Sequence, residues 1–245
     1  MAGAFSRAFK YASSFYQKRL ILILIFSIPF LFAFLIPVLV PAPTYVALGS
    51  VFLRTGSLAE LSLFDIVVTA IAYALTVFLI ADTVANINLI VRSKRTLTTI
   101  KKEVLGAIGT YAARIFYIYT LMLLLLFIVQ LLTYENPLQS WIYPLFAFVL
   151  SFLLFFVPPA VVIDHSDTPT AIKRSVKMAL RIPHMILIWT VFSLVVLSVV
   201  KVFADVLFSS PYSGYFVLVI NSLFVLPFLI VLQTHMYMEK YPLAR

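Results

Sequence analysis

Two clusters of polar side chains could do chemistry in this chain, and the first lies within an apolar run. Asp82 and Asn86 are four residues apart, so a helix would place both side chains on one face. An ionisable side chain inside a membrane span is costly and is a functional candidate by default. A carboxylate beside an amide could bind a proton or a cation. The alternative is a structural Asp82 that pairs with Arg114 or another cation near the end of the span.

The second cluster consists of Asp164, His165 and Asp167. Two carboxylates and an imidazole could act as acid and base, or could hold a metal ion. The interpretation we prefer is a solvated turn, because Thr168 suits a helix N-cap and Pro169 the first helical position. Since no other residues complete a catalytic set, we predict no catalytic residues, no metal site, no cofactor and no enzymatic activity.

Basic side chains form a third group, in amphipathic stretches near residues 4–17, 96–112 and 169–181. Apolar residues three and four apart line one helical face in each stretch. Such a helix can lie in the headgroup plane of a membrane, with its basic edge toward lipid phosphate. The candidate lipid-phosphate contacts are Lys101, Lys102, Lys173, Arg174, Lys177 and Arg181.

The elements that must position these residues are membrane-spanning helices. The chain has 63% apolar and 11% charged residues and a mean hydropathy of +1.10, whereas soluble domains have roughly 45–50% and roughly 25%. The apolar blocks are close to the ~20 residues that a helix needs to cross hydrocarbon. We therefore predict an all-α integral membrane protein, one domain over residues 1–245 with three cytoplasmic interfacial amphipathic helices. The six transmembrane helices are predicted near residues 20–40, 65–91, 114–132, 141–163, 183–206 and 215–238.

The distribution of cations predicts the orientation of these spans. All of the 18 lysines and arginines except Arg54 and Lys201 fall on one side of a six-span arrangement. The positive-inside rule assigns that side, and with it both termini, to the cytoplasm of a multi-pass cell-membrane protein. The net charge of +9 is explained by this topology, so we expect membrane lipids rather than nucleic acid as partners. A partner protein or a second copy of the chain are further candidates.

The three amphipathic stretches also share a register, in which an apolar, a basic and a second apolar residue alternate. An internal repeat of one interfacial helix plus a pair of spans would explain this pattern. The alternative is that any positive-inside protein acquires basic amphipathic linkers. The matched positions are Phe5, Arg7 and Phe9, then Ile100, Lys102 and Val104, then Ile172, Arg174 and Val176.

Segments on either side of the third stretch carry a family resemblance. The apolar segment Phe156–Asp164 ends in an acidic residue and is followed by Ala171–Ser175, and the last span closes with Pro227–Tyr237 and then Glu239-Lys240. In outline the whole chain resembles the membrane-domain family named after glycerophosphoryl diester phosphodiesterases. The resemblance implies six spans in a helical bundle with interfacial helices. It implies no phosphodiesterase activity, because that activity belongs to a separate soluble domain.

Three classes of function are compatible with these features. The leading hypothesis is a non-enzymatic membrane protein that organises lipid or partner proteins through its basic amphipathic helices. A transport protein, such as the permease half of an ATP-binding-cassette exporter, is the alternative, with an N-terminal elbow helix and a coupling helix near 97–108. The third is a membrane enzyme that acts on lipid headgroups with Asp164 and His165.

Overall fold

The apolar runs form long helices, because a backbone in hydrocarbon must satisfy its hydrogen bonds within the helix itself. The computed structural model describes residues 2–39, 46–48, 51–53, 63–96, 108–134, 136–210 and 212–240. In chain order the α-helices are α1 Ala2–Lys18, α2 Leu20–Leu39, α3 Leu63–Thr96, α4 Ala113–Leu132, α5 Gln139–Leu153, α6 Val157–Ile163, α7 Thr168–Arg181, α8 Pro183–Leu207, α9 Tyr212–Ile220 and α10 Leu226–Lys240. Two π-helical turns, Ile108–Ala112 and Asn221–Val225, precede α4 and α10.

The predicted all-α membrane architecture is confirmed. Among the described residues, five helical segments are long and apolar enough to cross a membrane: Val67–Ser93, Gly109–Leu132, Gln139–Ile163, Pro183–Leu207 and Tyr212–Glu239. The pair α1 and α2 passes the same test together and brings the number to six, although the two helices are bent by 91° at their junction. A short antiparallel hairpin, β1 Val46–Leu48 with β2 Val51–Leu53, is an element that the hydropathy pattern does not predict.

α3 is the central helix of the bundle. It packs against α2, α4, α6 and α10, and its second half is buried almost continuously, with Ile87, Leu89 and Ile90 each at most 2% exposed. The outward faces of the other helices carry exposed apolar side chains, among them Ile21 and Val199. An apolar exterior of this extent is what a helical bundle presents when its solvent is hydrocarbon rather than water.

The fourth span is broken between α5 and α6. Pro158 and Pro159 have no amide hydrogen and cannot donate to the carbonyls one turn earlier. Residues 154–156 therefore form a non-helical turn, in which Val157 N–H bonds the carbonyl of Leu154 instead of continuing the α-helical pattern. The break lies inside the bundle, since Phe156 and every residue of α6 are buried.

One end of the bundle gathers the amphipathic helices. α1 buries Ala8, Ala12 and Phe15 and packs along α10, and Arg7 forms an ion pair with Glu239 at 2.7 Å. α7 packs against α6 at the same end. We call the end of the bundle that comprises α1, α7 and the last turns of α10 the basic end. The middle amphipathic stretch falls mostly outside the described residues, and so do Lys101 and Lys102.

Candidate functional site

Asp164 is the central acid of the basic end. Its side chain is 5% exposed, and Oδ2 accepts hydrogen bonds from Arg174 Nη1 at 2.9 Å and from the Tyr237 hydroxyl at 2.5 Å. Asp164 directly follows α6, Arg174 is on α7 and Tyr237 is on α10. This contact, which we call the acid latch, therefore joins three separate segments. Because charge-assisted bonds are stronger than neutral ones, we expect the latch to fix α7 against the bundle.

The latch changes the interpretation of Arg174. The sequence groups this residue with the lipid-phosphate contacts, but its side chain is only 35% exposed and binds Asp164 and the Ser166 hydroxyl, the latter at 2.7 Å. The physical reason is its position on α7, three residues after Ala171 and four before Met178, both buried. At 3.6 residues per turn these positions share the inward side of the helix. Arg174 therefore binds the bundle, unlike the exposed Lys173 and Lys177 of the same helix.

The last residues of α6 and the turn that follows it accept hydrogen bonds from arginines of α3 and α4. Arg92 donates to the carbonyl of Val162 at 3.3 Å and Arg114 to the carbonyl of Ser166 at 3.0 Å. The Tyr111 hydroxyl and His165 Nδ1 are hydrogen-bonded, and His165 has the left-handed backbone conformation, with φ 52°. These hydrogen bonds fix the turn to the rest of the bundle.

Asp164, His165 and Asp167 do not form the acid–base site that their types suggest. Asp164 is engaged in the latch, while Asp167 is exposed at the N-cap of α7 and makes no capping hydrogen bond. The predicted cap at Thr168 is therefore one residue too late, because Thr168 already belongs to the helix. Within the described ranges, no group of three or more His, Asp or Glu side chains could hold a metal ion.

The break in the fourth span is satisfied by side chains of α7 and α10. Ser175, fully buried, donates to the carbonyl of Leu153 at 2.7 Å and accepts from the amide of Phe156 at 3.0 Å. Gln233 Nε2 donates to the carbonyl of Phe155, whose ordinary helical donor would be the nitrogen of Pro159. Neither Ser175 nor Gln233 is identified as a functional residue by spacing alone, since the groups that they satisfy become visible only in the folded chain.

α7 presents its remaining cations outward. Ala171, Ser175 and Met178 are buried on one side, while Lys173, Lys177 and Arg181 are exposed. Their four-residue spacing keeps these three cations on one face. We call Lys173, Lys177 and Arg181 the basic edge. The structure therefore separates two roles that alternate along one helix: binding to the bundle and presenting positive charge to its surroundings.

Asp82 and Asn86 lie together on α3, as their spacing predicts. Asn86 Nδ2 donates to Asp82 Oδ2 at 3.0 Å. The second carboxyl oxygen of Asp82, Oδ1, and the amide oxygen of Asn86, Oδ1, are buried and have no hydrogen-bond partner within the described part of the chain. Arg114 binds the turn at Ser166 and does not pair with Asp82. This is the arrangement of a polar site inside a span rather than that of an ion pair at its end.

Four of the residues in the segments that carry the family resemblance meet at the basic end: Asp164, Arg174, Ser175 and Tyr237. Their contacts give each of them a structural role in this chain. Three of them form the acid latch, and Ser175 satisfies the broken span one residue further along α7. No family model matches the chain, and no curated protein and no solved structure matches it either.

Proposed function

We propose that the chain is a non-enzymatic, multi-pass protein of the cell membrane that binds anionic lipid headgroups through the basic faces of α1 and α7. The observation that carries this proposal is the two-sidedness of α7. Its inner face is buried and latched to the bundle through Asp164, while the basic edge is exposed. A helix held in this way offers positive charge at a fixed position, without having to be ordered when a headgroup binds.

α1 supports the same proposal. Lys10 is exposed on the side of the helix opposite the buried Ala12 and Phe15, and Lys18 and Arg19 are exposed at the end of α1. The 91° bend between α1 and α2 would lay α1 in the plane of the membrane if α2 crosses it. Basic amphipathic helices in this orientation bind anionic surfaces by burying their apolar face and pairing their cations with phosphate. The positive-inside bias places this surface, and both termini, in the cytoplasm.

The expected size of the effect follows from the number of exposed cations. A lysine or arginine close to an anionic membrane surface contributes about 1 kcal/mol to binding. The three cations of the basic edge would together contribute about 3 kcal/mol, which corresponds to about a 100-fold preference for anionic over zwitterionic lipid. Salt should weaken this preference, because exposed charges are screened.

Native mass spectrometry of the purified protein with defined lipids tests the proposal. The test variant is Lys173→Gln/Lys177→Gln/Arg181→Gln, and the matched control Lys173→Arg/Lys177→Arg/Arg181→Lys keeps the charge at the same positions. We expect the control to retain anionic lipid like the unmodified chain. In the test variant, the preference for anionic over zwitterionic lipid should fall by up to about 100-fold. Equal retention by both variants would show that the basic edge does not bind lipid.

Transport is the second candidate function, and one observation favours it. Ionisable side chains inside a span mark substrate or ion pathways, and the half-buried Asp82 is bonded to the buried Asn86 within α3. α1 precedes the first apolar helix at an angle of 91°, as an elbow helix would. The segment near 97–108, suggested as a coupling helix, lies mostly outside the described residues. Stoichiometric co-purification of a nucleotide-hydrolysing partner would support the exporter form of this candidate. Purification of the chain with lipid alone would oppose it.

Membership of the membrane-domain family named after glycerophosphoryl diester phosphodiesterases is a further part of the proposal. It is supported by the acid latch, because the residues that carry the resemblance, Asp164, Arg174 and Tyr237, contact one another. An experimental structure of an established member tests it. The same acid–arginine–tyrosine contact is expected there, and its absence would count against membership.

A further inference from the structure

Asp82 lies deep within the second span. The span candidate that contains it runs from Val67 to Ser93. At about 1.5 Å per residue, Asp82 is roughly 16 Å from the Ser93 end, which is close to half the ~30 Å thickness of the hydrocarbon layer. Asp82 is thus about three helical turns inside the nearer end of this segment. Its protonation therefore has to be explained by the side chains around it.

Among the side chains that the structure describes, one donates a hydrogen bond to Asp82, and two acceptors of the pair remain unsatisfied. Asn86, which is 4% exposed, donates its amide hydrogen to Asp82 Oδ2 at 3.0 Å. Asp82 Oδ1 and Asn86 Oδ1 are both buried without a partner among the residues that the structure describes. Both unsatisfied atoms are acceptors, and a protonated carboxyl group would supply this pair with one additional hydrogen.

The helices that pack against α3 supply no described cation to Asp82. α2 and α6 contain no ionisable side chain. In α4 and the turn before it, the ionisable groups are Tyr111, Arg114, Tyr117 and Tyr119. Tyr111 bonds His165, and Arg114 bonds the carbonyl of Ser166.

The ionisable groups described in α10 are also bonded elsewhere: His235 bonds the carbonyl of Val231, Tyr237 bonds Asp164 and Glu239 bonds Arg7. On α3 itself, Arg92 reaches Tyr111 and the carbonyl of Val162.

A carboxylate at mid-membrane without a cation beside it is strongly disfavoured, and such groups are neutralised instead. We propose that Asp82 carries an exchangeable proton inside the membrane, and that Asn86 fixes the orientation of the carboxyl group through its amide. In this state Asp82 Oδ1 becomes a donor, and Asn86 Oδ1 is an acceptor in the same pair. The ligand of this site is thus a proton. The site is independent of lipid binding at the basic end, and either can exist without the other.

Infrared spectroscopy of the protein in lipid bilayers tests the protonation directly. The carbonyl stretch of a protonated carboxyl group is resolved from the bands of a carboxylate, so the spectrum of the unmodified chain minus that of Asp82→Asn reports the state of Asp82. At neutral pH we expect a protonated-carboxyl band in this difference, which disappears when the membranes are made alkaline. Asp205→Asn is the control, since Asp205 is exposed beside Lys201 and should contribute only carboxylate bands. A difference spectrum for Asp82 that contains only carboxylate bands at neutral pH would overturn the proposal.

A second measurement distinguishes a proton from a metal cation. Dicyclohexylcarbodiimide modifies protonated carboxyl groups in apolar surroundings, and peptide mass spectrometry identifies the modified residue. We expect modification at Asp82, equal rates in sodium and in choline buffers, and none at this position in Asp82→Asn. Protection by sodium but not by choline would show that a metal cation occupies the site, and would overturn the assignment of the proton as its ligand.

Discussion

Replacing Ser175 by Ala removes one hydroxyl group from the break in the fourth span. In the folded chain this hydroxyl donates to the carbonyl of Leu153 and accepts from the amide of Phe156. The variant would leave that amide without an acceptor among the described residues and would remove the donor to the carbonyl. An unsatisfied buried polar group costs about 1–3 kcal/mol. Since the carbonyl and the amide can partly relax toward ordinary helical geometry, we expect a total loss of about 2–4 kcal/mol.

The matched control is Ser193→Ala. Ser193 is also buried, but its hydroxyl donates only to the carbonyl of Thr190 in the same helix, and removing such a local bond has little effect on stability. Both variants remove a serine hydroxyl oxygen, so they differ only in the groups that this oxygen bonds. The contrast isolates the role of Ser175 in the broken span.

The assay measures the free energy of unfolding in mixed micelles under reversible conditions. Thermal unfolding of the same variants gives their Tm values. A loss of 2–4 kcal/mol corresponds to a decrease of roughly 5–15 °C in Tm for a chain of this size, whereas the control should change the free energy of unfolding by less than about 1 kcal/mol. If Ser175→Ala were no more destabilising than Ser193→Ala, the hydroxyl of Ser175 would not be what satisfies the break, and the reasoning from its two contacts would be refuted.

Three further variants test the contacts at and near the basic end, each by the free energy of unfolding. Asp164→Asn leaves Arg174 without its charged partner and should cost about 1–3 kcal/mol, below the value for a fully buried pair because Arg174 is partly exposed. Gln233→Leu removes the donor to Phe155 and should cost about 1–2 kcal/mol. Thr234→Val removes the hydrogen bond from the Thr234 hydroxyl to the side-chain oxygen of Asn88 on α3. This should cost about 0.6–1.7 kcal/mol, the range for hydrogen bonds between membrane helices.

Asp167→Asn is the control for the Asp164 variant, because Asp167 is exposed and makes no capping bond. It should leave the stability unchanged. Equal losses for the two aspartate variants would mean that the acid latch does not stabilise the bundle. For the other two variants, an unchanged free energy of unfolding would show that the corresponding interhelical bond is replaced by water or by lipid.

Much of the helical framework could be predicted from hydropathy, because the bilayer imposes a minimum length on every spanning helix. The run from Leu20 and the block from Pro183 are long apolar segments, and helices begin at both residues. The ends of helices follow less closely from hydropathy. α3 continues to Thr96, beyond the predicted end at 91, because its last turns are polar but still helical. The break after Leu153 depends on the side chains that are available to satisfy it, which hydropathy does not encode.

The separation of roles along α7 could be predicted only in part. The four-residue spacing of Lys173 and Lys177 predicts one outward face, as the structure has it. Charge alone groups Arg174 with them, although its spacing from Ala171 and Met178 indicates the buried side of the helix. Its partner Asp164 could not be predicted, because the contact depends on how the turn between α6 and α7 folds back onto the bundle.

The depth of α7 in a membrane is the property that the proposed function depends on most. The chain has no cysteine, so single cysteines can be introduced at Lys173, Lys177 and Leu180 and labelled with nitroxide in bilayers of defined composition. Collision with a lipid-soluble and a water-soluble relaxing agent then gives the depth of each label. Lipid binding by the basic edge predicts that labels at Lys173 and Lys177 lie at the level of the headgroup phosphates. Labels at all three positions that are fully exposed to water, away from the membrane, would contradict it.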